Sequence, residues 1–292
     1  MDGGGELCGG DRLTSRVEPR AILPAENLNR SQTRGRDRPR LHRPPPDSQD
    51  RSIRPLADDD NRLVRFLIAL LLAVPAYGAD LRILFLGNSL TYSNDLPSMV
   101  RRIGEIDGKT IETAMVAAPN YSLEDHLMSQ RSRRALVRAG KWDVVVLQQG
   151  PSSLDESRRM LVRDSERVRH LLPERTKVAI LMVWPDERRV GAFERVIESH
   201  RIAAEAVDGV LIPAGEAWYR IVKDGGGHML YSKDGFHPTL AATYMVALAT
   251  YRALVGSLPD AAVTMYGASR VADGDLGVTP RQLGAIVKAV RR

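Results

Sequence analysis

The body of this chain predicts a three-layer α/β/α sandwich around a mostly parallel sheet of about five strands. Three observations carry that prediction. Short apolar runs alternate with longer amphipathic ones from Asp80 onward, the pattern of βαβ units. Two of the runs, "DVVVLQ" and "VAILMVW", are continuously apolar, as expected of strands covered on both faces. No internal repeat or second core interrupts the series, so residues 80–292 read as one domain.

The elements follow in order. Strand 82–86 ends as Ile83 to Leu86 run into Gly87, Asn88 and Ser89, residues that make turns. An amphipathic helix, 96–106, leads to strand 110–117. Helix 123–138 precedes strand 143–148, and helix 153–172 precedes strand 177–184. Helix 189–207 leads to a short strand, 209–213. Pro238 and Thr239 introduce a long apolar helix, 240–254. Thr279 and Pro280 form an N-cap and first-turn pair for a last helix reaching Arg292.

The N-terminal part differs in character. Residues 1–62 are rich in Arg, Pro, Asp and Gly and predict a disordered leader, too apolar-poor to offset its ordering entropy. Residues 1–79 hold 13 Arg against 11 acidic residues, too balanced for a nucleic-acid-binding arm. Residues 63–79 read as a signal peptide: Arg65 at the start, an apolar run from Phe66 to Val74, then Pro75 and small residues. That run falls short of the roughly 20 residues a membrane span needs, so no stable span is expected in the mature chain. The expectation is a secreted or periplasmic protein whose true start lies near Leu63 or Val64, with the leader as mistranslated upstream sequence. N-terminal sequencing of the mature protein tests it, and a chain beginning at Met1 would refute it. The single cysteine, Cys8, lies in the leader, so the body offers no disulfide, thiolate or cysteine metal ligand. The body carries 29 basic and 25 acidic residues, an excess too mild to indicate a charged partner or an oligomeric state.

Two short stretches carry the chemistry. Ser89 follows the first strand directly, at the carboxyl edge where open α/β sheets keep their ligand sites. "SKDGFHPT" supplies Asp234 three residues before His237, close enough for one loop to hold a carboxylate against an imidazole. Histidine is suited to act as the base because its unperturbed pKa lies near neutrality. Each stretch alone is an ordinary turn. In this order on an α/β scaffold, they make a nucleophile, a base and an orienting acid.

These stretches resemble the first and last blocks of the SGNH, or GDSL-type, hydrolase superfamily. Gly87-Asn88-Ser89-Leu90 stands where the family has Gly-Asp-Ser-Leu, and Asp234 and His237 match its Asp-x-x-His block. The resemblance runs from Leu81 to about Val255 and implies a flavodoxin-like sandwich and a cofactor-free serine esterase. It implies Ser89 as nucleophile, His237 as base and Asp234 as orienter, acting on a small-molecule or glycan ester. An acyltransferase on the same triad and a catalytically silent binding protein are the alternative readings.

The middle blocks depart from the family pattern. Its second block supplies a glycine N–H to the oxyanion hole, but "APNYSLEDHL" has no glycine, which leaves Asn120 to Leu123 as candidate donors or substrate contacts. Its third block supplies an Asn side chain, where this chain has "LQQGPSS" and a rigid alignment falls on Gly150. Gln148 or Gln149 would then give the amide donor, with Gln149 preferred because strand alternation sends the two to opposite faces. Two decoys are set aside. "GEIDGKT" follows a helix and is a residue short of a phosphate loop. His126, His170, His200 and His228 lack metal-ligand spacing and read as structural or surface residues, with His126 further expected to contact substrate or to face solvent. Trp184, Trp218 and Tyr92 read as core or pocket-lining residues.

Overall fold

The computed structural model describes residues 79–137 and 141–292. The leader and nearly all of the signal-like segment lie outside the described residues, as does Arg138 at the end of a predicted helix. Five parallel strands form one sheet in the order β2-β1-β3-β4-β5. They are β1 (Leu81–Gly87), β2 (Ile111–Ala117), β3 (Val144–Leu147), β4 (Lys177–Leu181) and β5 (Val210–Ile212).

Strand alternation divides the core into two layers. Ile83 and Phe85 face helices α2 (Leu96–Ile106), α7 (Ala214–Lys223), α8 (Leu240–Val255), α9 (Met265–Ala272) and α10 (Pro280–Arg291). Leu84 and Leu86 face α3 (Leu123–Met128), α4 (Gln130–Val137), α5 (Asp155–Leu171) and the later turns of α6 (Phe193–Ala206). Helix α8 is apolar nearly all round because it is buried nearly all round, capped by the Thr239 hydroxyl on Ala242 N–H. The Thr279–Gln282 capping box opens α10 as its sequence predicts.

The sequence misjudges several boundaries. The predicted helix 123–138 is two helices, α3 and α4. Ser129 takes extended backbone and caps the end of α3, while its hydroxyl accepts Ser132 N–H and opens α4. Strand β4 stops at Leu181 rather than Trp184; Met182 still binds Ile212 O, but the following residues turn into the core. A 3₁₀ turn, Glu187–Ala192, stands where the first turns of helix 189–207 are expected, kinked at Arg189. The one-turn helix α1 (Ser89–Tyr92), α7 and α9 escape the sequence, and α7 has no side-chain cap to announce it.

The chain passes from β1 outward to β2, then crosses back to β3 on the other side of β1. A reversal of this kind opens a crevice at the carboxyl ends of the two central strands. Ser89 follows β1 there, and Gln148 and Gln149 follow β3. Among the described residues, no helix is long and apolar enough to cross a membrane.

Candidate active site

Gly87 has to be glycine: a Cβ there would lie 2.3 Å from Thr91 Oγ1 and 2.6 Å from Gln148 Oε1. Those two atoms crowd the turn because they organise it. Gln148 Oε1 accepts Asn88 N–H at 2.9 Å and the Thr91 hydroxyl at 2.8 Å. Its Nε2 donates to Asn88 Oδ1 at 3.0 Å and to Gln149 O at 2.7 Å. Asn88 is buried, caps α1 through Leu90 N–H, and donates from Nδ2 to Tyr121 O at 3.0 Å. An aspartate could accept the first of these bonds but could not make the last, so the departure from Gly-Asp-Ser-Leu has a local cause.

His126 braces the turn from behind. It is fully buried, with Nε2 at 2.9 Å from Gly87 O and Nδ1 at 2.8 Å from Ser132 Oγ. The carbonyl can only accept, so Nε2 carries the proton and Nδ1 accepts from the serine. Burial pushes the imidazole pKa down and keeps it neutral. The structural reading of this residue holds, and the expectations of substrate contact and solvent exposure are corrected. It is a buried strut, because its helix turns that face toward the sheet.

The opposing loop, 231–239, is tied down at many points. Tyr231 pairs with Pro238 in an antiparallel bridge, and Ser232 N–H donates to His237 O at 2.8 Å. Trp184 Nε1 donates to Phe236 O at 2.9 Å, and the Tyr231 hydroxyl to Pro185 O at 3.0 Å. Gly235 takes φ +72°, a turn that other residues adopt only with strain. Asn94 joins the two halves of the site, donating to Pro238 O at 3.0 Å and Thr243 Oγ1 at 2.9 Å. Trp184 and Trp218 are core residues, stacked at 3.7 Å beneath this loop, and Tyr92 is half-buried outside the cavity lining.

Ser89, His237 and Asp234 meet across the crevice. His237 Nε2 lies 2.8 Å from Ser89 Oγ, and its Nδ1 lies 2.5 Å from Asp234 Oδ2. Asp234 Oδ1 accepts three further bonds, from Phe236 N–H, His237 N–H and the Ser232 hydroxyl. The Phe236 N–H first, then the imidazole and the other donors, hold the Asp234 carboxyl far below the usual carboxylate range.

A cavity of about 340 Å³ opens beside Ser89, lined by Asn120, Tyr121, Gln149, Ser152 and Phe236 among others. The expected oxyanion candidates separate here. Gln148 spends both amide hydrogens on the turn, which leaves none for an oxyanion. Leu123 N–H is taken by Gln149 Oε1 at 3.1 Å. Both are corrected from donors to supports, for the same reason: their hydrogens are already bonded. Asn120 stays at the cavity with φ +59°, and neither its backbone N–H nor that of Ser89 finds an acceptor among the described residues. Thr91, Asn94 and Ser152 are site residues that the sequence analysis missed; their side chains bond only to partners distant in sequence or within one loop, and no motif marks them.

No family model matches the sequence, and no curated protein does. Solved structures do. A DUF4886 family protein from Bacteroides uniformis superposes with a TM-score of 0.58 at 19% identity, covering 72% of this chain and 93% of its own. Axe2, an acetylxylan esterase from Geobacillus stearothermophilus, superposes at 0.50 with 15% identity, covering 62% of this chain and 97% of its own. At such identities the likeness speaks for fold alone, and the described body has an SGNH/GDSL hydrolase-like fold.

Proposed function

We propose that this chain is an exported serine esterase that cleaves a carboxylic ester through an acyl-enzyme. The observation that carries the reading is the unbroken relay from Asp234 through His237 to Ser89 at the switch point of the sheet. Asp234, ionised by its four hydrogen bonds, accepts a hydrogen bond from His237 Nδ1–H and holds the proton on that nitrogen, so Nε2 presents a lone pair to the Ser89 hydroxyl. Ser89 Oγ bonds to the ester carbonyl carbon as its proton passes to Nε2. The tetrahedral intermediate collapses with cleavage of the bond to the alcohol oxygen, which leaves with that proton. Water then repeats the sequence on the acyl-enzyme and releases the acid.

The negative oxygen of each intermediate needs donors fixed in advance. Ser89 N–H at the start of α1 and Asn120 N–H are available, and Gln149 supplies an amide hydrogen from the third side of the cavity. Asn120 gives the second position a left-handed backbone without glycine, since Asn tolerates that region better than most residues. An acetylxylan esterase shares this fold, so O-acetylated glycans and short acyl esters are the substrates to try first.

The test is turnover of p-nitrophenyl acetate by wild type and Ser89→Ala. The variant should fold normally and lose at least about a thousandfold in kcat. Wild-type turnover in Ser89→Ala would refute the nucleophile.

A further inference from the structure

Ser152 is a buried residue in the left-handed region, φ +53°, two positions after Gly150. Glycine would sit there without strain, yet the chain keeps a side chain. Strain of this kind persists where the surroundings impose it, and it raises the question of what the hydroxyl does.

Three hydrogen bonds answer in sequence. Leu123 N–H donates to Gln149 Oε1 at 3.1 Å, Gln149 Nε2 donates to Ser152 Oγ at 3.0 Å, and Ser152 Oγ–H donates to Gly150 O at 3.2 Å. The polarity of this chain is forced at both ends, because a backbone N–H can only donate and a carbonyl can only accept. Gln149 therefore cannot flip its amide. One Nε2 hydrogen is held by Ser152, and the planar amide fixes the direction of the other. That other hydrogen has no acceptor among the described residues, and Gln149 lines the cavity beside Ser89.

We propose that Ser152 is a positioning residue that locks the Gln149 carboxamide with one hydrogen aimed at the oxyanion. The inference rests on the serine-esterase reading above. A glutamine stem has one more rotatable bond than the asparagine of related hydrolases, and Ser152 with Leu123 N–H removes that freedom. Backbone strain at Ser152 is the structural cost of bringing a hydroxyl to the one place where it can accept from Nε2.

Phosphonylation by a fluorophosphonate probe tests this without knowledge of the natural ester. Ser89 Oγ forms a bond to phosphorus, fluoride leaves, and the Ser89 proton passes to His237. The phosphoryl oxygen then occupies the oxyanion position. Ser152→Ala and Ser152→Gly should each slow labelling of Ser89 about tenfold to a hundredfold. Kinetics with p-nitrophenyl acetate should show the loss in kcat with KM within about twofold. Ser152→Gly relieves the strain and should melt no lower than Ser152→Ala, which separates a folding defect from lost positioning. Gln149→Ala should lose at least as much, and the double variant Gln149→Ala/Ser152→Ala should be no slower than Gln149→Ala alone. Wild-type labelling in both Ser152 variants, or losses that add in the double variant, would overturn the proposal. A wild-type protein that is not labelled at Ser89 would instead overturn the esterase reading beneath it.

Discussion

Asn88 makes bonds on two sides that no other residue of its size can make together. Its Oδ1 accepts from Leu90 N–H and Gln148 Nε2, and its Nδ2 donates to Tyr121 O. Replacing it by aspartate, the residue of the Gly-Asp-Ser-Leu pattern, would set a carboxylate oxygen against a carbonyl oxygen in a buried site. Asn88→Asp should therefore lose about 1 to 3 kcal/mol of stability in urea unfolding, the range for a buried group left without its partner. The proposed esterase activity should fall as well, since the Tyr121 carbonyl and its neighbour Asn120 lose their tie to the turn that carries Ser89. A variant as stable as wild type would show that water or a shifted backbone takes over the bond.

At the scale of elements, the loop 231–239 that carries Asp234 and His237 is set by what lies under it. Trp184 follows β4, stacks on Trp218 of α7, and lends its indole N–H to Phe236 O between Asp234 and His237. Trp184→Phe keeps an aromatic ring in the stack and removes that donor. It should lower kcat several-fold, cost about 1 to 3 kcal/mol of stability through the unsatisfied carbonyl, and leave KM nearly unchanged. Steady-state kinetics and a melt decide it; unchanged kcat would mean that the other ties hold the loop alone. The break between α3 and α4 belongs to the same scale. By ending α3 at Ser129, the chain frees Ser132 to bond His126, and His126 then holds Gly87 O.

The whole molecule should show an acid limit to its stability. His200 is fully buried in α6, with Nδ1 bonded to Val196 O at 2.8 Å and Nε2 without a partner among the described residues. Burial lowers its pKa from the ordinary value of 6.5 to about 4. The folded state therefore binds a proton less readily than the unfolded chain. Stability is at its full value above about pH 6.5 and falls by about 3 kcal/mol as pH drops through 4. His126, lowered for the same reason, adds to the slope in the same direction. Urea unfolding from pH 7 to 4 should give a shallower pH dependence for His200→Leu than for wild type. Parallel curves would place the acid limit in other groups.

The sequence by itself determined the layers and the candidate site residues. Continuous apolar strands alternating with amphipathic helices leave few ways to bury two sheet faces, and all five strands were legible in 82–86, 110–117, 143–148, 177–184 and 209–213. Helix 96–106 was legible to the residue, because its apolar stripe and bounding turn residues agree. Ser89, Asp234 and His237 were legible as candidates because the proposed nucleophile and acid–base pair need fixed residue types, one after a strand and two in one short loop. Only the tertiary structure decided which donors remain unpaired at the proposed site. Gln148 and Leu123 have the right chemistry, and lose it because Asn88 Oδ1 and Gln149 O take the two Gln148 hydrogens and Gln149 Oε1 takes that of Leu123. His126 matters through a pairing 39 residues away with Gly87 O, and Ser152 through bonds inside its own loop that no motif marks. A hydrogen can be given only once, and where it goes depends on contacts that no local pattern records.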